Sequence, residues 1–501
     1  MNASAHYQEG LRLSAKGHHA EAISRFESAL SADPADARVL FALGNSARII
    51  GLPKVAEEFY RRVLVAEPGR IEALVNLANL LRAGGQFEAA RALIAPALSQ
   101  NPQCAELRLT LGSIFRELGD AAHAENHYRE ALNLKPDYAA ALGNLADLLA
   151  DRDATEEALS LYDRALKREP DNAQARLNRA ILHLAHGNLK DGWRDYSARL
   201  KISGKVPVPD HRLKKWAGGT LKRTRLLVSA EQGVGDELMF ASMIPDLAER
   251  AARENGSIIL ECDARLQPLF ARSFTNVTVK PFVRETKGGI TTSRYDWLKA
   301  AGGANAAIEL GSLPRWLRGN HSTFPKPHAY LVPDAEERAR WKNMLGNATG
   351  ICWRSGKQGG ARNLQYAPLE AWAAFLRETP GAIVCVQYDA TPDEIARLGA
   401  LSGREIIVPQ GIDQKQDLDR ACALVSALDC VVSAPTAVSW LAAGVGVTTY
   451  KILYDKSWTS FGEDYEPFAP SCRCMMPAHA GDWADVFGKT LAAIRQRHAS
   501  A

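Results

Sequence analysis

Three loops in the second half of this 501-residue chain combine backbone freedom with polar side chains in the way that chemistry at an anionic group requires. The first is Glu231-Gln232-Gly233-Val234-Gly235-Asp236-Glu237, where two glycines allow a ligand close to the backbone. Asp236 there reads either as an acid–base carboxylate or as the cap of a helix starting at Glu237. The second runs from Arg354 to Asn363, with three glycines and the three cations Arg354, Lys357 and Arg362 in ten residues. It suits a phosphate, and equally a solvated surface loop. The third, Ala434-Pro435-Thr436-Ala437-Val438-Ser439, opens a helix of small residues whose first amides and Thr436 hydroxyl suit an anionic oxygen, or simply start a helix at a proline.

These loops need strands before them and helices after them. Short β-type runs alternate with helical patterns from about Thr224: Arg225 to Ala230, Ile258 to Cys262, Val277 to Val279, Gly350 to Trp353, Ala382 to Tyr388, Ile406 to Val408, Asp429 to Ser433 and Val447 to Tyr450. The alternation predicts parallel α/β architecture in two doubly wound, Rossmann-like lobes, 224–345 and 346–501. About 70 residues of mixed sequence lie between the two strand groups, with Tyr295 to Leu298 and Ser312 to Leu317 as their most ordered pieces. Ligands bind such sheets at the carboxyl ends of the strands, which selects the loops after Ala230, Trp353, Tyr388 and Ser433.

The first 200 residues follow another rule. Pro34, Pro68, Pro102, Pro136 and Pro170 recur every 34 residues. Small residues recur at Gly10, Gly44, Ala78, Gly112, Ala146 and Ala180, and large ones at Phe26, Tyr60, Ile94, Tyr128, Tyr162 and Tyr196, each followed four positions later by leucine. Helix, turn, helix, proline at this period resembles the tetratricopeptide repeat and predicts about six repeats over 1–200, with 201–223 as a linker. Asn76, Asn144 and Asn178 form one row and Asn45, Asn79 and Ser113 another on the first helices. A row of amides can pair with the backbone of an extended peptide; the alternative is a solvated helix face.

Composition narrows the classes. Apolar residues make up 46% and charged residues 24%, 61 Lys and Arg stand against 57 Asp and Glu, and no basic run points to nucleic acid. No apolar stretch is long enough to span a membrane or to form a signal core, so a cytoplasmic protein is expected. The eight cysteines lack paired metal-type spacing and read as reduced thiols.

Taken together, Glu231 to Phe240, Cys352 to Gly356, Val386 to Asp389, Asp417 to Asp419 and Leu428 to Leu441 resemble the C-terminal region of bacterial tetratricopeptide-fused glycosyltransferases of the GT-B fold. The likeness extends more distantly to heptosyltransferases and to tetratricopeptide O-linked N-acetylglucosamine transferases. The tail from Tyr454 to Trp483 looks like that of enzymes that glycosylate flagellin with nonulosonic acids. This resemblance implies an inverting protein O-glycosyltransferase without a bound metal or other cofactor. It also implies a CMP-nonulosonic acid of pseudaminic or legionaminic type as donor, with a UDP-sugar as the alternative, and Ser or Thr of flagellin as acceptor. Asp236 becomes the candidate general base, beside the acceptor-side loop residues Glu231, Gln232, Gly233 and Gly235. The donor phosphate side falls on Arg354, Lys357, Gln387, Tyr388, Thr436, Ala437 and Val438, and the acceptor chain on Asn45, Asn76, Asn79, Asn144 and Asn178. The chain departs from the heptosyltransferase pattern at Pro435-Thr436 and Trp440, where Asp-Thr or Asp-Ser and a His are usual. Two other functions remain: a non-enzymatic adaptor with a degenerate transferase domain, and transfer to a saccharide or lipid-linked acceptor.

Overall fold

A computed structural model describes residues 2–202, 204, 206–324, 329–356, 363 and 365–500. The chain forms two compact units, Met1–Ala175 and Arg176–Ala501. Among the described residues, no helix is long and apolar enough to cross a membrane.

The first unit consists of helical hairpins: Ala3–Ala15 with His19–Leu30, Ala37–Ile49 with Pro53–Ala66, Ile71–Ala83 with Phe87–Gln100, Ala105–Glu117 with Ala121–Leu134, and Ala139–Ala150 with Thr155–Arg168. The periodic small and large residues are the two sides of one contact. A Cβ at Gly10, Gly44 or Gly112 would stand 2.4, 2.7 or 2.8 Å from the ring of Phe26, Tyr60 or Tyr128, so the ring of the second helix lies directly on the backbone of the first. The hairpin turn also repeats: Gly17, Gly51, Gly85 and Gly119 have φ between 74° and 81°, and Asp153 takes the equivalent left-handed position at 60°.

A sixth hairpin, Ala173–Ala185 with Leu189–Tyr196, leads into the second unit. The 34-residue spacing of large residues and leucines runs on to Leu200, but the packing partners change earlier. Trp193, 3% exposed, packs edge-on against Phe240, Phe461 and Phe468 and donates its Nε1–H to the Arg318 carbonyl at 3.0 Å. The stretch 201–223, read as a connector, supplies two short strands and buries Trp216 and Leu221.

Two parallel sheets organise the second unit. The first contains β2 (Lys214–Lys215), β3 (Arg225–Ser229), β4 (Ser257–Cys262), β5 (Thr278–Pro281) and β8 (Ala306–Glu309), in the order β2-β8-β3-β4-β5. A small sheet beside it joins β1 (Val208–Pro209) to the hairpin of β6 (Val283–Lys287) and β7 (Ile290–Arg294). The second parallel sheet contains β9 (Ala348–Cys352), β10 (Ala382–Cys385), β11 (Ile406–Ile407), β12 (Cys430–Ser433), β13 (Thr448–Ile452) and β14 (Cys472–Met475), in the order β11-β10-β9-β12-β13-β14. The expected α/β architecture with parallel strands is therefore present.

Counted from β3 in the first sheet and from β9 in the second, the chain lays down the next two strands on one side and later returns to the other side. The two switch points lie between β3 and β8 and between β9 and β12, where neighbouring loops diverge and leave a crevice at the carboxyl ends. The described cysteines are all unpaired, and all except Cys104 are buried.

Candidate functional site

The loop after β3 and the loops after β9 and β12 face one another across a cleft of about 620 Å³. Gly233, Val234, Gly235 and Asp236 form one wall, and Ser355, Gly356, Tyr388, Pro435, Thr436, Ala437, Val438 and Trp440 line the other side. Segments as distant in sequence as 236 and 436 meet because each follows a strand at a switch point.

Two helices begin here. The helix Val234–Ala241 has Gly233 as its N-cap, with no side-chain cap bond. Asp236 thus sits in the first turn of this helix, not at its start as the capping alternative required. The helix Ala437–Gly444 is capped by Thr436, whose Oγ1 accepts from the Val438 amide at 3.3 Å. A Cβ at Gly235 would lie 3.7 Å from Ala437 Cα, so the two N-termini nearly touch. Backbone amides and helix dipoles from both lobes therefore favour a negative group where they meet.

Of the predicted cations, Arg354 is paired within the protein. Arg354 Nε and Nη2 donate to Glu394 Oε1 and Oε2 at 2.6 and 2.7 Å, and Nη1 donates to Asp389 Oδ1 at 2.9 Å. Two carboxylates thus hold the guanidinium that the sequence assigned to a donor phosphate, and Arg354 ties its loop to Asp389 and Glu394. Gln387 is also an anchor, 3% exposed, its Oε1 accepting from the Trp353 and Arg354 amides at 3.0 Å each and its Nε2 donating to Asp389. Tyr388 does reach the cleft, with its hydroxyl accepting from the Gly356 amide at 2.6 Å. Lys357, and with it the stretch to Arg362, lies outside the described residues.

Arg354 holds the Glu394 carboxyl down at about 2, with the Thr391 amide of a capping box assisting. A depressed carboxylate pKa contributes stability above the unfolded value of about 4.3, and that contribution is lost as pH falls through about 2. Glu394→Gln is accordingly expected to cost about 1–2 kcal/mol at pH 7, the group being partly exposed and screened, with the cost shrinking below about pH 4. Denaturant midpoints of both proteins at pH 7 and pH 3 measure this, and a pH-independent difference would contradict it.

Two cations missed by sequence reasoning line the cleft among the described residues, Arg265 and Lys415. Arg265 grips Asp263 through Nε and Nη2 at 2.8 Å each and donates Nη1 to the Lys415 carbonyl at 3.0 Å, joining segments that follow strands of the two parallel sheets. Arg265 follows the carboxyl end of β4, so the rule that selected the other strand-end loops would have reached it. Lys415 is set by Asp413, whose Oδ1 accepts from the Lys415 and Gln416 amides at 2.9 and 3.0 Å. Trp440, where a histidine was the family expectation, has the Lys451 ammonium 4.1 Å from its ring centroid, and Lys451 in turn pairs with the fully buried Glu466.

Beneath the first loop, burial pushes two carboxyls upward: Glu237 to about 8 and Glu261 to about 7. Glu237 Oε2 accepts from the Asp263 amide at 2.8 Å, tying the turn that carries Arg265 to the helix that carries Asp236. Glu231 and Gln232, expected on the acceptor side, are both bonded within the fold. Glu231 pairs with Arg199 at 2.7 Å, and Gln232 accepts from the Tyr196 hydroxyl at 3.1 Å.

The asparagine rows are also partly committed. Asn45 Oδ1 accepts from the Tyr60 hydroxyl at 2.7 Å and from Asn76 Nδ2 at 3.0 Å. Two repeats on, Ser113 Oγ accepts from the Tyr128 hydroxyl at 3.3 Å and from Asn144 Nδ2 at 3.1 Å. These asparagines tie successive first helices together, with the tyrosine of the second helix as the third member, and Asn76 Nδ2 also donates to the Tyr60 hydroxyl at 3.4 Å. In the repeat between them Ile94 replaces the tyrosine, and the exposed Asn79 accepts from Arg82 at 2.8 Å. Asn178 lies on the helix Ala173–Ala185, in the part of it that belongs to the second unit.

Models of the tetratricopeptide repeat match residues 7–71, 51–114, 109–166 and 144–192. The protein FlbA of Caulobacter vibrioides is 34% identical over 332 residues, covering 64% of this chain and 55% of FlbA, so the chain spans about half the length of that relative. Among solved structures, a thermophilic TPR protein of Thermus thermophilus is 26% identical, covering 36% of this chain and 99% of its own at a TM-score of 0.33. PilF of Pseudomonas aeruginosa is 23% identical, covering 40% of this chain and 90% of its own at a TM-score of 0.34. The N-terminal helical hairpins of this chain are tetratricopeptide repeats.

Proposed function

We propose that the second unit is a GT-B-type inverting glycosyltransferase acting on a protein captured by the repeats, with a nonulosonic acid from a CMP-sugar as the transferred group and Ser or Thr of flagellin as the acceptor. The observation that carries this reading is the meeting of two helix N-termini beside Asp236 in one cleft between two parallel lobes. That arrangement offers a cradle for a leaving phosphate and a base within one site. The acceptor oxygen attacks the anomeric carbon as the bond from that carbon to the phosphate oxygen breaks. The hydroxyl proton passes to Asp236, and CMP leaves with the bonding electrons. Amides at Val234–Asp236 and Ala437–Val438, with Arg265 and Lys415, stabilise the charge that develops on the phosphate, which is ordinarily a large share of the catalysis. The repeats raise the local concentration of the acceptor.

Intact-mass measurement of flagellin incubated with the protein and CMP-pseudaminic acid tests the reading. A mass increase of one sugar residue per modified site is expected, and an unchanged mass with all components intact would refute it. Neutralisation of Arg354 by Glu394 and Asp389 favours a second reading, an adaptor whose transferase domain is degenerate. In that case flagellin binds without any change in mass, and CMP-sugar is not hydrolysed.

A further inference from the structure

At the switch point between β3 and β8 the chain brings one of its own cations to the carboxyl ends of the strands. Arg199, just past the last repeat helix Leu189–Tyr196, places its guanidinium between the loops that follow these two strands. Its Nε and Nη2 donate to Glu231 Oε1 at 3.2 and 2.7 Å, Nη2 also donates to Ser312 Oγ at 3.0 Å, and Nη1 donates to the Tyr196 carbonyl at 3.3 Å. The same Glu231 oxygen accepts from the Gly311 amide at 3.2 Å and from Gln232 Nε2 at 3.0 Å, and Gln232 Oε1 accepts from the Tyr196 hydroxyl at 3.1 Å. The approach is close at Gly311, where a Cβ would stand 2.4 Å from Gln232 Nε2 and 2.6 Å from Glu231 Oε1. The side chains of Arg199 and Glu231 are only 6% and 5% exposed.

We infer that Tyr196 and Arg199 are positioning residues through which the last repeat fixes the loop Glu231–Asp236, and with it the carboxylate of Asp236. A buried ion pair adds little to stability beyond what packed apolar groups supply, and its use lies in selecting one arrangement. A strand-end loop held only by its own backbone samples many arrangements, whereas a base must stay within a fraction of an ångström of its working position. Here Glu231 and Gln232, the residues that lead into the Gly233 cap, are both gripped by one neighbouring helix end. The assignment of a catalytic consequence rests on the transferase reading; the ordering of the loop does not.

The test uses the full-length protein and two variants. Arg199→Met combined with Glu231→Met removes both charges, so neither is stranded, and Tyr196→Phe removes only the hydroxyl on Gln232. Amide hydrogen exchange over 230–238 should become about tenfold faster or more in the double variant, and less so in Tyr196→Phe, because the loop opens locally without global unfolding. In the transfer reaction kcat should fall about tenfold with donor KM within about twofold, the signature of a misplaced base rather than a lost donor contact. If the double variant does not fold, Tyr196→Phe alone decides, through faster exchange in the same segment. Unchanged exchange over 230–238 in the folded variants overturns the inference. Faster exchange, with no transfer by any form including the parent protein, upholds the positioning and removes the transferase reading.

Discussion

Replacing Asp236 by Asn is expected to lower kcat for sugar transfer by about 10²- to 10⁴-fold, the range that one positioned acid–base group contributes. The substitution keeps the shape and hydrogen-bonding reach of the side chain and removes its ability to take a proton. A carboxylate is a weak base toward an alcohol, so transfer must come late, when the attacking oxygen has become acidic; an amide has no such late role. Donor affinity should change by no more than about twofold, because in the proposed mechanism the charge on the leaving phosphate is met by the amides at Val234 and Ala437, Arg265 and Lys415 rather than by a carboxylate. Steady-state kinetics with flagellin as acceptor, together with calorimetric titration of CMP, separate these quantities. A carboxylate in the first turn of a helix also interacts favourably with the dipole, so Asp236→Asn should cost about 0.3–1 kcal/mol of stability. If stability alone falls and kcat stays within about threefold, Asp236 serves the helix and not the reaction.

The placement of Asp236 beside Thr436 was legible in the sequence because it follows from a general rule: ligands gather at the carboxyl ends of parallel strands, and both residues follow such strands. The rule says nothing about which side chains are free to act. Arg354 reads as a phosphate ligand in a glycine-rich basic loop, and only the fold brings Asp389 and Glu394 onto it. The repeats were legible because ring-on-glycine contacts recur at a fixed period, as with Phe26 on Gly10 and Tyr60 on Gly44. The bonds that occupy the asparagines were less so, since Asn76 to Asn45 joins one repeat to the next and needs the tyrosine of a third helix. The strand β8 escaped notice because Ala306-Ala307-Ile308-Glu309 is short and half alanine, a poor β signal. It nonetheless sits next to β3, where its burial is decided by neighbours distant in sequence.

The end of the repeat array was the least legible feature, and it produces the second large effect. A fragment starting at Asp171 should fold and retain slow hydrolysis of the donor, whereas a fragment starting at Lys201 should not fold to a native state. The first fragment keeps Asn172, whose side chain accepts from the Ala175 amide at 3.0 Å at the start of the sixth hairpin. It also keeps Leu184, Leu189, Trp193 and Tyr196, all buried. The second fragment loses them. Trp193 alone packs against Phe240 from the helix that carries Asp236 and against Phe461 and Phe468 from the other lobe's tail. Losing a buried tryptophan costs about 3–5 kcal/mol, and stranding Glu231 without Arg199 costs a similar amount again, together comparable to the whole stability of a domain. Near-ultraviolet circular dichroism and CMP-sugar hydrolysis, measured on both fragments, give the result. Equal, native-like behaviour of the two would mean that the chemistry-bearing unit begins near residue 200, as the proline period alone implies. Hydrolysis by the Asp171 fragment without modification of flagellin would assign acceptor capture to the repeats before residue 171, because that fragment keeps the braces on the Asp236 loop and lacks the five hairpins of the first unit.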